Sequence, residues 1–161
     1  MGFNDLALVS PVDAKVLHRH KVIQRASGAK DILQNASIYN TLEEAVYDSN
    51  IICGTGMPFD MYKKRQPREY IEPRMFFDRL LQSNNDIEDL NQTIEDKPQQ
   101  IRMALVFGAE DSGIPESDMD QCNVMLGIPT NPSFGSLNLA SAVQLIAYDW
   151  RMALGGHDSY A

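Results

Sequence analysis

Cysteine, basic charge and long apolar runs are all scarce in this sequence, and each scarcity excludes something. The two cysteines, Cys53 and Cys122, stand beside strand-like apolar runs and form no metal-ligand spacing. Buried thiols are therefore a better reading than a disulfide, a metal centre or a nucleophile. Fourteen basic against 22 acidic residues give a formal net charge of −8. That argues against a protein that coats nucleic acid by general charge, although a local basic site stays open. No apolar run approaches bilayer length, and the first residues, Met1 to Pro11, lack both a basic n-region and a long apolar h-region, so a cytoplasmic protein is expected. Neither Gly-x-Gly-x-x-Gly nor a Walker sequence is present, which disfavours an ordinary dinucleotide or nucleotide fold.

What remains is 161 residues, 43% hydrophobic and 22% charged, the make-up of one globular domain over 1–161. Leu6 to Val9 reads as a short buried strand closed by Ser10-Pro11. A weakly periodic helix over 12–27 is expected to stop at Gly28. His18 and His20, two apart on that helix, point to different faces and read as surface residues. Ile32-Leu33 and Ser37 to Asn40 are strand-sized, and Thr41 with Glu44 is a capping-box signature for a helix to about Asp48. Asn50 to Cys53 is another strand, left through Gly54-Thr55-Gly56-Met57-Pro58. Phe59 to Arg74 reads as a polar, basic surface excursion and Met75 to Leu81 as a helix that docks on the core. Residues 83–99 read as a flexible acidic insertion.

The most informative stretch is 103–147. Met103 to Phe107 is an uninterrupted apolar run, the pattern of a strand in a helix-covered parallel sheet, and it stops at Gly108. Glu110 and Asp111 follow in a loop that ends at Gly113, with Pro115 placed to open a short helix. A second run, Val124 to Ile128, ends at Pro129, and Asn131, Pro132 and Gly135 keep the backbone irregular as far as Ser136. The last helix begins there, with Leu139, Val143, Ile146 and Trp150 as its core stripe and Leu145 and Tyr148 off it. Strands that alternate with helices give an α/β domain with a mostly parallel sheet and helices on both faces. Loops at the carboxyl ends of such strands are where ligands bind, so the two loops propose a site with two walls.

The charge is polarised. Lys63, Lys64, Arg65, Arg68 and Arg74 cluster within 63–74, whereas 86–96 is acidic without a base. The basic segment is open to two readings, a solvated loop or a phosphate-binding patch.

Leu105 to Ile114, with Ile128-Pro129 and Ser136-Leu137-Asn138-Leu139-Ala140, resembles the second and third signature motifs of the SpoU-type knotted RNA methyltransferases. The resemblance extends through Met1 to Pro11, Gly28 to Leu33, Thr41 to Ala45, Gly54-Thr55 and Tyr148 to Ala153, and leaves about 57–100 poorly covered. Within the family it is most similar to bacterial enzymes that methylate ribose in the tRNA anticodon loop.

The resemblance implies a C-terminal trefoil knot, S-adenosylmethionine as methyl donor and an RNA ribose 2′-hydroxyl as acceptor. It also implies a homodimer that shares the RNA site, with the Tyr148 face of the last helix as one candidate surface. Carried over by position, the donor site comprises Thr55, Gly56, Met57, Gly108, Ile128, Gly135, Ser136 and Leu137. Glu110 matches the acid of motif two, with an organising role ahead of proton transfer. Ser136 and Asn138 match the polar pair of motif three that holds the acceptor ribose or motif-one side chains; helix capping is the other reading of Ser136. Lys63, Lys64, Arg65 and Arg68 become candidates to meet RNA phosphates. In the family an arginine and an asparagine of the first motif help remove the acceptor proton. That motif precedes a segment like Met1 to Leu6, so the strand and helix that carry it are expected to be missing here, at a cost in stability. Arg19 and Arg25 lie too far along to replace the arginine. The alternative is a noncatalytic module that keeps the donor pocket or dimer surface.

Overall fold

The structure, a computed structural model, describes residues 2–56, 69–90, 100–131, 133 and 135–156, with only the backbone for 83–90. The chain forms two compact units, Gly2–Asp48 and Ser49 onward. All strand pairs among the described residues are parallel.

In the first unit, β1 (Ala7–Val9) pairs with β2 (Ser37–Tyr39). Between them the expected helix over 12–27 is broken. Asp13 accepts from Lys15 N at 2.9 Å and from Arg19 Nε at 2.6 Å, which closes a turn. A 3₁₀ turn over Val16–His18 follows, Arg19 is extended, and only then does α1 (His20–Ala26) start. A side chain that bonds its own neighbouring backbone competes with helix, and here it wins. Gly28 does not supply the left-handed stop; Ser27 does, at φ 49°. Ile32-Leu33 is not a strand but the middle of α2 (Lys30–Asn35). Two adjacent apolar residues are too few to fix a period, and both are half-buried on the helix. Thr41 caps α3 (Leu42–Ala45) by accepting from Glu44 N at 3.3 Å, while Glu44 reaches back to Asn40 N at 3.0 Å.

In the second unit, β3 (Ile51–Gly56) is the centre of a sheet ordered β4-β3-β5, with β4 at Met103–Val106 and β5 at Val124–Gly127. Two asparagines extend the ladder at its amino end. Asn123 Oδ1 accepts from Ile52 N at 2.8 Å, and Asn50 Oδ1 accepts from Arg102 N at 2.8 Å while its amide donates to Gln100 O at 3.0 Å. The strand does not end at Cys53 as expected but runs through Gly54-Thr55-Gly56. A β-carbon on Gly54 would lie 2.7 Å from Met125 Sδ and 2.9 Å from Cys122 Sγ, so any larger residue in this ladder position would have to displace both sulfur side chains. The excursion over 59–74 also returns to the sheet earlier than expected: Ile71 N donates to Met125 O at 2.9 Å and Ile71 O accepts from Gly127 N at 3.0 Å.

Helix α4 spans Pro73–Leu90. It therefore takes in the first eight positions of the 83–99 stretch expected to be a flexible insertion. Each added residue costs little once a helix is nucleated, so polar composition alone did not stop it. The remainder, 91–99, lies outside the described residues. Helix α6 (Leu139–Ala153) packs on α4, with the Phe77 and Trp150 rings 5.1 Å apart. The core joins Cys53, Phe77, Leu126 and Ile146, all buried, with Trp150 and Ala153 packed against it. Val143 is exposed, so the core stripe runs Ile146, Trp150 and Ala153 instead. Neither Cys53 nor Cys122 is in a disulfide, and burial pushes the Cys53 thiol up to about 12, with a lesser contribution from Cys122. No described helix is long and apolar enough to cross a membrane.

Candidate functional site

Three parallel strands bring three chain exits to one edge. The pairs Gly54–Val106 and Gly56–Gly127 set the register. Gly108, two residues beyond Val106, thus falls level with Gly56, and Ile128 follows Gly127 directly. Thr55 ties two of the exits together by donating from Oγ1 to Val106 O at 3.0 Å.

The loop after β4 closes on itself. Ala109 and Gly113 exchange backbone bonds, Gly113 N to Ala109 O at 2.9 Å and Ala109 N to Gly113 O at 3.2 Å. Gly113 is left-handed at φ 70°, a conformation that favours glycine. A β-carbon on Gly108 would lie 2.0 Å from the carbonyl carbon of Gly113, so the closed loop also requires glycine there. Ile114 and Met119 are buried beneath it, and α5 (Glu116–Met119) follows with Pro115 as its cap residue.

Glu110 leaves that loop and reaches the start of α6. Its Oε2 accepts from Leu139 N at 2.8 Å, and its Oε1 accepts from Asn138 Nδ2 at 3.3 Å. Asn138 Oδ1 in turn accepts from Ala140 N at 3.0 Å. Two otherwise unpaired N–H groups of the first turn are thereby satisfied, and the carboxylate sits at the positive end of a 15-residue helix. Helix α6 accordingly starts at Leu139 with Asn138 as its cap, and not at Ser136. The capping alternative weighed for Ser136 falls to Asn138, and Ser136 is exposed two residues earlier. Thr130 Oγ1 donates to Gly135 O at 3.0 Å, which closes the span between β5 and α6.

The described candidates thus gather at one edge: Thr55 and Gly56 end β3, Gly108 and Glu110 follow β4, and Ile128 and Gly135 to Asn138 follow β5. Met57, Lys63, Lys64, Arg65 and Arg68 lie outside the described residues. Sequence reasoning missed Tyr70. A β-carbon on Gly56 would lie 2.9 Å from both Cε1 and the hydroxyl of Tyr70, so the edge of that ring covers Gly56. The available signal was the Tyr70-Ile71 pair inside a charged stretch, just ahead of the Pro73 helix start.

Residues 74–148 match the sequence model of the SpoU rRNA methylase family. A solved protein of Neisseria gonorrhoeae assigned to a methylase family is 30% identical, with a TM-score of 0.69, over 92% of this chain and 69% of that one. The chain belongs to the SpoU family. The tRNA (cytidine/uridine/adenosine-2′-O-)-methyltransferase TrmJ of Pseudomonas aeruginosa is 35% identical over 95% of this chain and 52% of its own length. The structure of TrmJ from Z. mobilis is 31% identical, with a TM-score of 0.68, over 92% of this chain and 57% of that one. The chain spans about half the length of the curated relatives it matches. The family match takes in the loop after β4, the loop after β5 and most of α6, the segments that Glu110 joins.

The edge suits a ligand recognised by shape and peptide groups. Ile128 and the exposed Leu137 offer apolar contact, and Gly56 and Gly108 keep side chains from crowding the exits. An adenine ring needs apolar faces and donor and acceptor edges, which a nucleoside-type methyl donor would find here.

Proposed function

We propose that this chain binds S-adenosylmethionine at the carboxyl edge of β3, β4 and β5 and methylates a ribose 2′-hydroxyl of tRNA. The observation that carries the proposal is the Glu110 bridge to Leu139 and Asn138, which holds the two signature loops of the SpoU family together at a strand edge. The names of the TrmJ relatives supply the substrate class. As a sulfonium, the bound donor supplies a methyl group with a neutral thioether as leaving group. The chain's own residues orient and enclose. In this reading Thr55, Gly56, Met57, Gly108, Ile128 and Gly135 to Leu137 hold the donor, and Ser136 and Asn138 face the acceptor ribose. Glu110 fixes their backbone and moves no proton, since its carboxylate is engaged by the helix. Alignment of a 2′-oxygen with the methyl group accounts for most of the expected acceleration, and the hydroxyl proton passes to solvent water as the O–CH3 bond forms and the S–CH3 bond breaks.

The same proposal includes the trefoil knot, a cytoplasmic location and a homodimer formed through the exposed Val143, Leu145 and Tyr148 of α6. Lys63, Lys64, Arg65 and Arg68 are taken to meet tRNA phosphates. Reversing the charge of Lys63, Lys64 and Arg65 should weaken tRNA binding and flatten its salt dependence.

Calorimetry with S-adenosylmethionine, paired with methyl transfer to unmodified tRNA read as alkali-resistant linkages, tests the central claim. Donor binding and transfer are expected. Binding without transfer would leave the noncatalytic module, and absence of both would end the proposal.

A further inference from the structure

We propose that Tyr70 is a positioning residue of the donor edge, which fixes the carboxyl end of β3 at Gly56. This rests on the donor-site reading above but concerns a residue outside both signature loops. Tyr70 reaches Gly56 because Ile71 is fixed on β5 by the bonds to Met125 O and from Gly127 N. Since Gly127 is also the register partner of Gly56, one clamp aligns ring and strand end. Tyr70 also packs against the buried cluster of Ile114, Met119 and Met125, beneath the loop that follows β4. Tyr70 therefore touches the support of one wall and the backbone of another. A side chain at 56 and a ring at 70 compete for the same space, with 2.9 Å from a β-carbon at 56 to two atoms of the ring.

It follows that positions 56 and 70 are coupled. Tyr70→Phe keeps the packed ring and should leave amide exchange at Gly56 closer to the parent than Tyr70→Leu does. Tyr70→Leu should weaken donor affinity about tenfold or more, since it removes the ring packed on Gly56 and a cost to the edge of about 1.4 kcal/mol is already tenfold in affinity. Gly56→Ala should weaken it likewise in the parent chain but much less in the Tyr70→Leu background, where the obstructing ring is gone.

Titration calorimetry with S-adenosylmethionine on the four variants reads the coupling, with thermal unfolding confirming that each is folded at the titration temperature. Amide exchange at Gly56 and Gly127 without ligand reads it a second time. Equal losses from Gly56→Ala in both backgrounds, by either measurement, would overturn the inference, as would parent-like affinity for Tyr70→Leu. Failure of the parent chain to bind the donor would refute the functional proposal alone. The exchange data would then still decide for or against Tyr70.

Discussion

Removing the Glu110 carboxylate should loosen the first turn of α6 before it unfolds anything else. The side chain accepts from Leu139 N at 2.8 Å and, more weakly, from Asn138 Nδ2 at 3.3 Å. A hydrogen bond to a charged acceptor contributes about 1.5–3 kcal/mol net, and a charge at a helix N-terminus about 0.3–1 kcal/mol. Glu110 is exposed, so water screens both contributions and can replace part of the first. The lower end applies, and Glu110→Ala should cost about 1–2 kcal/mol, within the range of lost helix caps. Glu110→Gln keeps an acceptor for Leu139 N but loses the charge and the acceptor for Asn138 Nδ2, and should cost about 0.5–1.5 kcal/mol, less than Glu110→Ala. Urea denaturation gives the global value, and amide exchange at Leu139, Ala140 and Ala142 gives the local one. Exchange at Leu139 should accelerate more than the global change explains, because Ile146 and Trp150 still hold the rest of the helix. Unchanged Leu139 exchange in Glu110→Ala, or a larger loss in Glu110→Gln than in Glu110→Ala, would refute the capping account.

Three further substitutions probe the parts that carry the edge. Gly108→Ala places a β-carbon 2.0 Å from the Gly113 carbonyl carbon, and backbone cannot rotate aside as a side chain can. Donor binding should be abolished while α4 and α6 remain folded, checked by calorimetry and by the tryptophan fluorescence of Trp150. Asn123→Ala removes the 2.8 Å acceptor of Ile52 N at the amino end of the central strand and, at this exposed position, should cost about 0.5–1.5 kcal/mol in denaturation. Cys53 should resist alkylation in the native protein. Its thiol is raised in the folded state, from an ordinary 9.0 to about 12, so protonation favours the fold. That stability is fully present below pH 9 and is lost as pH rises toward 12, by up to about 4 kcal/mol relative to Cys53→Ala at 1.36 kcal/mol per unit.

The strands were legible because Met103 to Val106 and Val124 to Gly127 are apolar runs closed by turn-forming residues. Their positions need no long-range information. Hidden features were those decided by a partner far along the chain. Nothing in Gly54-Thr55-Gly56 says strand or loop until Met125, Cys122 and Tyr70 are brought against it. Ile71 looked like a stray apolar residue in a basic stretch, and only β5 makes it part of the sheet. In the first unit the errors are local. Asp13 spends its side chain on Lys15 N and Arg19, and that choice between helix and turn is nearly balanced in sequence. At the site, the motif positions of Glu110 and Asn138 were readable, but not which of them would cap α6, since the choice depends on where the loop after β4 closes.

The glycines of the edge sharpen what the site can be. Gly54 makes room for two sulfur side chains, Gly56 for an aromatic ring, and Gly108 for the backbone of Gly113. Each is explained by a protein neighbour, so none of the three is needed to explain ligand contact. In the proposed reading, recognition comes from the groups that those close approaches leave uncovered. At this edge that means the peptide groups beyond Gly108 and Gly127, the side chains of Ile128 and Leu137, and the hydroxyl of Ser136. The tight packing underneath has a function of its own. A methyl transfer that depends on alignment needs a rigid floor. The Glu110 bridge, the Ala109–Gly113 closure and the Tyr70 ring each remove freedom from a different wall of it.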